Sequence, residues 1–222
     1  MGKISRGTAR VLLAAALLGI SAPALAITVT PGFDASLGAD DFAVRFRSFQ
    51  PTGADEVYLG VPDLGVAGNR VAQQINWAAG PTTFDFSFTY NLVTDQLTVQ
   101  VAGNAPLTYT FAPDLVITAI QLTVADRDTT GELWLTNLVV NGEAAGDFGV
   151  GVDGFFDWML TDIAAGPGLT VTGTINRTGT FSSSQELSRI EIKAGGALVP
   201  EPTALALLGL GLIGVGLRRR TA

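Results

Sequence analysis

Hydrophobic and polar residues alternate with a period of two over much of the chain between residues 42 and 193. In the clearest run, from Thr83 to Tyr90, the aromatic residues Phe84, Phe86, Phe88 and Tyr90 share one face, and Thr, Asp and Ser residues share the other. This alternation is typical of a strand with one face on a core and the other in water. The run therefore predicts a half-buried antiparallel strand.

Similar segments recur along the chain and are separated by turn residues such as Asn141-Gly142. The predicted strands cover residues 42–46, 83–90, 97–101, 107–111, 115–124, 132–140, 154–160, 169–176 and 187–193. We expect about ten to twelve strands in all, with no long amphipathic helix between residues 27 and 195. The pattern predicts an all-β fold, an antiparallel β-sandwich that is jelly-roll-like.

The segment from Leu133 to Val140 differs from the other predicted strands because it is apolar on both faces. Leu133, Leu135 and Val139 fall on one side, and Trp134, Leu138 and Val140 fall on the other. This pattern predicts a central strand whose second face is also covered.

The chain has 222 residues, and the part between its two apolar ends has the usual size of one domain. That part carries seven basic residues against twenty acidic ones, a net charge of −13. Such a domain repels phosphate backbones, so nucleic acid is excluded as an expected partner. Divalent cations and neutral polymers such as polysaccharide are compatible with this charge.

The chain has neither cysteine nor histidine, which excludes Ser-His-Asp and Cys-His catalysis and thiolate zinc sites. A carboxylate-only glycoside hydrolase would need two carboxylates across a cleft. Asp85, Asp153, Asp157 and Glu132 are candidates, but their spacing in the sequence selects no pair. We therefore expect that the protein is not an enzyme, and the hydrolase is the alternative.

Residues 1–26 have the three parts of a secretory signal peptide. Lys3, Arg6 and Arg10 form a positive region, residues 11–20 are apolar, and Ala24 and Ala26 are the small residues before a cleavage site. An uncleaved anchor or a buried helix is the alternative, but ten apolar residues are too few to span a bilayer. We expect export across the inner membrane by the secretion machinery and a mature domain over residues 27–195.

The segment 196–222 has three elements in order. A box of Pro200, Glu201 and Pro202 precedes an apolar, Leu/Gly-rich stretch at 203–217, which three arginines follow. The arginines are Arg218, Arg219 and Arg220. This combination resembles the PEP-CTERM sorting signal. A short membrane tail or a helix that packs on the domain is the alternative, but residues 203–217 have no polar face.

The resemblance implies an exosortase, a membrane-embedded transpeptidase that recognises the Pro-Glu-Pro box and removes the hydrophobic helix. The implied partners are that enzyme and the membrane, in which the helix is a transient anchor. Fifteen residues at about 1.5 Å each cover only about 22 Å, less than the hydrocarbon core. The implied location is the cell surface or the extracellular matrix.

Two further patterns indicate ligand sites in the domain. Asp126 and Asp128 begin a D-x-D-x-x-G segment that is typical of calcium loops, although an ordinary turn uses the same residues. Calcium is the only cofactor that we consider.

Five aromatic residues could provide a flat surface for sugar rings, although core packing explains them equally well. They are Trp77, Trp134, Trp158, Tyr58 and Tyr109. Trp77 is the preferred candidate because it follows polar residues, and Asn76 and Gln74 could donate hydrogen bonds beside it.

These observations favour a structural or adhesive role in exopolysaccharide and biofilm, which rests on what the C-terminal resemblance implies. A lectin-like carbohydrate-binding module is the alternative, because a β-sandwich permits it without requiring it.

Overall fold

The computed structural model describes residues 26–32, 41–49, 56–75, 77, 83–110, 115–127, 131–151, 154–164, 168–179, 181 and 188–198. The two helices that we predicted, in the signal peptide and at residues 203–217, fall outside these ranges. Among the described residues, no helix has the length and apolar character needed to cross a membrane.

The described part of the chain is built from strands, with one short 3-10 turn at Ala67–Asn69. The strands are β1 (Thr28–Pro31), β2 (Phe42–Arg47), β3 (Glu56–Gly60), β4 (Arg70–Gln74), β5 (Thr83–Asn91), β6 (Gln96–Val101), β7 (Leu107–Thr110), β8 (Leu115–Asp126), β9 (Glu132–Val140), β10 (Glu143–Val150), β11 (Gly154–Thr161), β12 (Gly168–Thr178) and β13 (Ser188–Leu198).

The strands form two antiparallel sheets, so the predicted all-β sandwich is confirmed. The seven-stranded sheet has the order β1-β11-β8-β13-β2-β3-β4, and the six-stranded sheet has the order β10-β9-β12-β5-β6-β7. The sequence pattern did not identify β1, β3, β4 and β10 individually. Three of these, β1, β4 and β10, are edge strands of their sheets, where burial is less regular and alternation is weaker.

Eight of the strands form nested antiparallel pairs. β2 pairs with β13, β5 with β12, β8 with β11, and β9 with β10. The partners lie progressively closer in sequence, as in one long two-stranded ribbon folded over on itself. The remaining strands extend the edges of the two sheets.

The core lies between the inner faces of the two sheets. Phe86, Phe88 and Tyr90 on β5 are buried, as the alternation predicts. The Phe42 ring on β2 packs across the sandwich against Phe88 and Tyr90, with centroid separations of 5.7 and 4.9 Å. These edge and tilted contacts are the favoured geometries for aromatic pairs, so they hold the two sheets in register.

The predicted tight turn at Asn141-Gly142 joins β9 to β10, and both residues have positive φ. This conformation fits a two-residue hairpin, because its twist matches that of the strands. Earlier in β9, Asn137 also has positive φ (54°), and the pairing with β12 shifts register beside it. This irregularity has the character of a β-bulge.

The prediction that both faces of β9 are covered is wrong. The bulge changes the alternation, so Leu133, Leu135, Leu138 and Val140 are all buried on the inner face. Trp134 lies on the outer face of the six-stranded sheet and is 40% exposed. The strand therefore has one apolar inner face, and Trp134 is its exposed large apolar residue on the outer face.

Charged side chains on the seven-stranded sheet form an ion-paired group. The Arg45 Nε atom lies 2.7 Å from Glu191 Oε2, and the Lys193 Nζ atom lies 3.3 Å from Glu191 Oε1. Only 5% of the Glu191 side chain is exposed. A carboxylate so poorly hydrated depends on its cations, because burial of an unpaired charge is costly.

We expect that Phe88→Ala lowers the free energy of unfolding by about 3–5 kcal/mol, because it removes a fully buried ring and leaves a cavity. Chemical denaturation of the purified protein measures this change. The control is Phe155→Ala, which removes a ring that is 45% exposed, and we expect a change within about 0.5 kcal/mol. Equal losses in the two variants would contradict the placement of the core.

We expect that Glu191→Gln lowers the free energy of unfolding by about 2 kcal/mol, between the values for exposed and buried ion pairs. The substitution keeps the shape of the side chain but leaves Arg45 and Lys193 without their carboxylate. The same denaturation assay measures the loss. Glu132→Gln, at an exposed carboxylate, is the matched control, and a loss as large as that of Glu191→Gln would argue against the ion pairs.

Candidate functional site

The predicted sorting and cleavage residues fall almost entirely outside the described ranges. This applies to Ala24 and to the six sorting-signal residues, Pro200, Glu201, Pro202, Arg218, Arg219 and Arg220. Ala26 is described and exposed, two residues before β1 begins. Cleavage after Ala26 stays a prediction.

The prediction that Trp77 is an exposed sugar platform is wrong. The Trp77 side chain is 0% exposed, and its ring centroid lies 5.0 Å from that of Phe49 and 5.0 Å from that of Phe84. Its Nε1 atom donates to the Arg47 carbonyl at 3.3 Å. Burial of this large ring within the aromatic core outweighs the polar character of the residues before it.

The neighbours chosen with Trp77 do not form a site with it. Gln74 is exposed at the end of β4, the edge strand of the seven-stranded sheet. Asn76 lies outside the described residues. A buried tryptophan and an exposed glutamine cannot contact one sugar together.

Asp126, one of the two predicted calcium ligands, is buried at the end of β8. Its Oδ1 atom accepts a hydrogen bond from the Ser188 hydroxyl at 3.0 Å, which links β8 to the start of β13. Asp128 lies outside the described residues. No group of three or more metal-binding side chains occurs within the described ranges, and calcium stays a prediction.

Of the four carboxylates considered for glycoside hydrolysis, Asp153 lies outside the described residues, and the other three lie far apart. Asp157 is on β11 of the seven-stranded sheet, whereas Asp85 and Glu132 are on the six-stranded sheet. Asp85 is opposite Thr174, and Glu132 is opposite Thr178, four residues farther along β12. Strand geometry places their Cα atoms about 16 Å apart. Hydrolysis needs carboxyl groups roughly 5–9.5 Å apart.

A ladder of hydroxyl, amide and carboxylate side chains runs along the outer face of the six-stranded sheet. It is formed by the outward residues of β5 and β12, and we call it the polar ladder. Four directly opposed pairs make it up: Thr83 with Asn176, Asp85 with Thr174, Ser87 with Thr172, and Thr89 with Thr170. The inward residues that alternate with these pairs are Phe84, Phe86 and Phe88 on β5 and Val171, Gly173 and Ile175 on β12, so the period of two that builds the core also builds this surface.

Hydrogen bonds hold part of the polar ladder in place. The Thr174 hydroxyl donates to Asp85 Oδ1 at 2.7 Å. The Asn176 amide donates to the Thr136 hydroxyl at 2.6 Å and to the Thr174 carbonyl at 3.3 Å. These side chains are therefore oriented before any ligand arrives, which lowers the entropy cost of binding.

Two open cavities lie along the polar ladder. One, of about 450 Å³, is lined by Asp85, Ser87 and Thr172, together with Gln100 of β6 and Asn137 of the β9 bulge. The other, of about 990 Å³, continues past Thr89 and Thr170 to the turns at that end of the sandwich. Both volumes are in or near the range of ligand sites.

Trp134 lies beside this surface, on the strand next to β12. It is opposite Asn176, at the far end of the polar ladder from the larger cavity. On its other side it faces Gly149 of β10, and a Cβ atom at position 149 would lie only 2.2 Å from Trp134 Cε3. The indole ring therefore packs closely against Gly149 and keeps part of its surface in water.

The charge of this surface is negative. Six of the seven described basic residues lie on strands of the seven-stranded sheet or directly after one of them. The seventh, Arg177 of β12, donates to the carbonyls of Phe49 and Trp77 and so is directed toward the core. Within the described ranges, the outer face of the six-stranded sheet therefore carries carboxylates such as Asp85 without facing cations.

The sequence placed Trp134 among five candidate aromatics but did not select it. One signal was available: Leu133 and Leu135 on one face require Trp134 on the other. The bulge obscured this signal. Strict alternation without a bulge assigns Leu138 and Val140 to the face of Trp134, whereas the structure places them on the inner face. The glycine that supports the ring is fifteen positions away in another strand, so no local pattern reveals it.

Comparison with known proteins identifies one segment of the chain. The model of the PEP-CTERM protein-sorting motif matches residues 198–220, which include Pro200, Glu201, Pro202 and all three arginines of the basic tail. No curated protein matches the chain. The chain thus carries a PEP-CTERM protein-sorting motif, which indicates an exported protein that is targeted to exosortase.

Proposed function

We propose that this protein is a structural or adhesive component of the extracellular matrix, in contact with exopolysaccharide. The sorting motif at residues 198–220 is the observation that carries the proposal, because it directs the chain to exosortase and the cell surface. The acidic surface of the domain supports the proposal. It disfavours anionic partners such as nucleic acid and is compatible with a neutral matrix polymer.

In this proposal the domain works by binding and not by catalysis. The placement of Asp85 and Glu132 supports this view, since their carboxylates are bonded to Thr174 and Thr178, four residues apart on β12, whereas two glycosidase carboxyl groups must lie roughly 5–9.5 Å apart. The absence of histidine and cysteine from the sequence supports it further. A matrix protein needs a stable fold and a contact surface, and the sandwich supplies both.

The proposed architecture of the domain is a jelly roll. The nesting of four strand pairs, from β2 with β13 to β9 with β10, supports it, because a jelly roll is an antiparallel ribbon wrapped into two sheets. The other five strands then extend this ribbon at the sheet edges. Edge extension widens the outer faces that are available to a polymer.

Processing would follow export. The signal peptide at residues 1–26 would be removed after Ala26, and the hydrophobic helix at 203–217 would hold the precursor in the membrane for a short time. Exosortase would then cut at the Pro-Glu-Pro box and free the domain from this anchor. The mature protein would begin near Ile27.

We expect that Glu201→Ala blocks C-terminal processing, because it removes the only charge of the Pro-Glu-Pro box. Intact-mass analysis of protein recovered from the native host measures the result. The wild-type mass should correspond to a chain that starts near Ile27 and lacks the segment after Pro202, whereas the variant should keep that segment.

The control for this experiment is Glu132→Ala, which removes an exposed carboxylate of the domain and should be processed at the same two ends as the wild type, so its mass should differ only by the substitution. If the wild-type protein keeps residues 203–222 in the host, the sorting model is wrong and the segment is a plain membrane anchor.

A further inference from the structure

We propose that the outer face of the six-stranded sheet is a binding site for an extended, neutral polysaccharide, with Trp134 as its stacking platform and the polar ladder as its groove. This inference rests on the proposed function, because it names the surface and the class of glycan through which the protein would contact the matrix. It replaces the Trp77 site that the sequence suggested.

Trp134 has the two properties that a sugar platform needs. Part of its ring is in water, at 40% exposure, and its orientation is fixed by the close approach of Gly149. Pyranose rings present a face of C–H groups, which pack favourably against the electron-rich face of an aromatic ring. A preoriented indole also loses little conformational entropy when the sugar binds.

The polar ladder supplies what the hydroxyl groups of a polysaccharide require. Thr, Ser and Asn side chains both donate and accept hydrogen bonds, as sugar hydroxyls do. Thr172 and Ser87 oppose each other in the middle of the smaller cavity, and Gln100 and Asn137 flank them. The hydroxyl groups of a sugar chain in this groove can therefore replace their hydrogen bonds to water with hydrogen bonds to these side chains.

The shape of the surface favours a chain over a single sugar. The polar ladder follows β5 from Thr83 to Thr89, six residue steps, which correspond to about 20 Å. The cavities lie in sequence along this line, the smaller beside Ser87 and the larger beside Thr89. A straight groove of this length fits several sugar units of an extended polymer.

Charge determines which glycans fit. Asp85 lines the smaller cavity, and the described basic residues lie on the other sheet or are directed toward the core. A polysaccharide rich in uronic acids would place its carboxylates against Asp85 without compensating cations. The site should therefore accept neutral glycans and reject acidic ones.

Affinity electrophoresis of the full chain in mild detergent tests this inference. The neutral probes are mixed-linkage β-glucan, xylan, galactomannan and dextran, and the acidic probe is polygalacturonate. We expect retardation by at least one neutral probe, none by polygalacturonate, and little change with ionic strength, because no charge pair forms. Failure to bind any neutral probe, or preference for polygalacturonate, would overturn the proposal.

Variants of the platform locate the site. We expect that Trp134→Ala weakens binding of the retained neutral probe about tenfold. Gly149→Ala should produce a similar loss, because its methyl group displaces the indole ring while the tryptophan stays present. Phe155→Ala, which removes a ring of similar exposure on the seven-stranded sheet, is the matched control and should bind as the wild type does.

A variant of the polar ladder tests the groove separately. Thr172→Val replaces one hydroxyl with a methyl group of similar size and should weaken binding about fivefold. Thr108→Val makes the same change at an exposed position on β7, the edge strand of the same sheet, and should have no effect. Equal binding by Trp134→Ala, Thr172→Val and wild type would place the glycan elsewhere and overturn the proposal.

This experiment can fail independently of the sorting model. Normal processing in the host together with no glycan binding would refute the groove and leave export and sorting intact. Glycan binding, together with a hydrophobic tail that is retained on the protein recovered from the native host, would support the groove and refute exosortase processing. Trp134→Ala should be processed at the same two ends as the wild type yet be released from the matrix, since only its contact with polysaccharide is lost.

Discussion

The pairing of β5 with β12 couples the interior of this domain to its surface. Side chains on paired strands alternate between the two faces of the sheet, so one register places Phe86 and Phe88 in the core and places Ser87 and Thr172 opposite each other outside. A shift of one residue would turn the aromatic rings outward and bury the hydroxyls, at a large cost in free energy. Core packing therefore fixes the arrangement of the polar ladder.

The same constraint explains how a domain without disulfides can carry an open polar groove. The groove needs no cavity within the core, because it lies wholly on the outer face of a sheet whose inner face is packed against β2 and its neighbours. Hydrogen bonds such as that from Thr174 to Asp85 orient the surface without burying it. The inner face of these strands packs in the core and stabilises the fold, and their outer face forms the proposed binding surface.

The β9 bulge shows how a small local feature determines the position of a surface residue. Its positive φ at Asn137 brings Leu135 and Leu138 to the same face, although they are three positions apart. It also brings Asn137 to the smaller cavity. Bulges commonly redirect side chains in this way, and here the result is an exposed Trp134 beside a polar groove.

The sequence by itself determined the all-β class, most of the strands, the Asn141-Gly142 turn and the sorting motif. Each of these depends on residues close together in the chain, where alternation, turn chemistry or a short motif is sufficient. It also indicated the acidic character that disfavours anionic partners.

Only the tertiary structure decided which tryptophan is accessible. Trp77 is enclosed by Phe49 and Phe84, which lie 28 positions before it and 7 after it, whereas Trp134 rests on Gly149 of the next strand. Both outcomes depend on contacts between separate strands, and the exposed fraction of a side chain is set by those neighbours. The polar ladder likewise exists only because β12 pairs with β5, about 85 positions away in the chain.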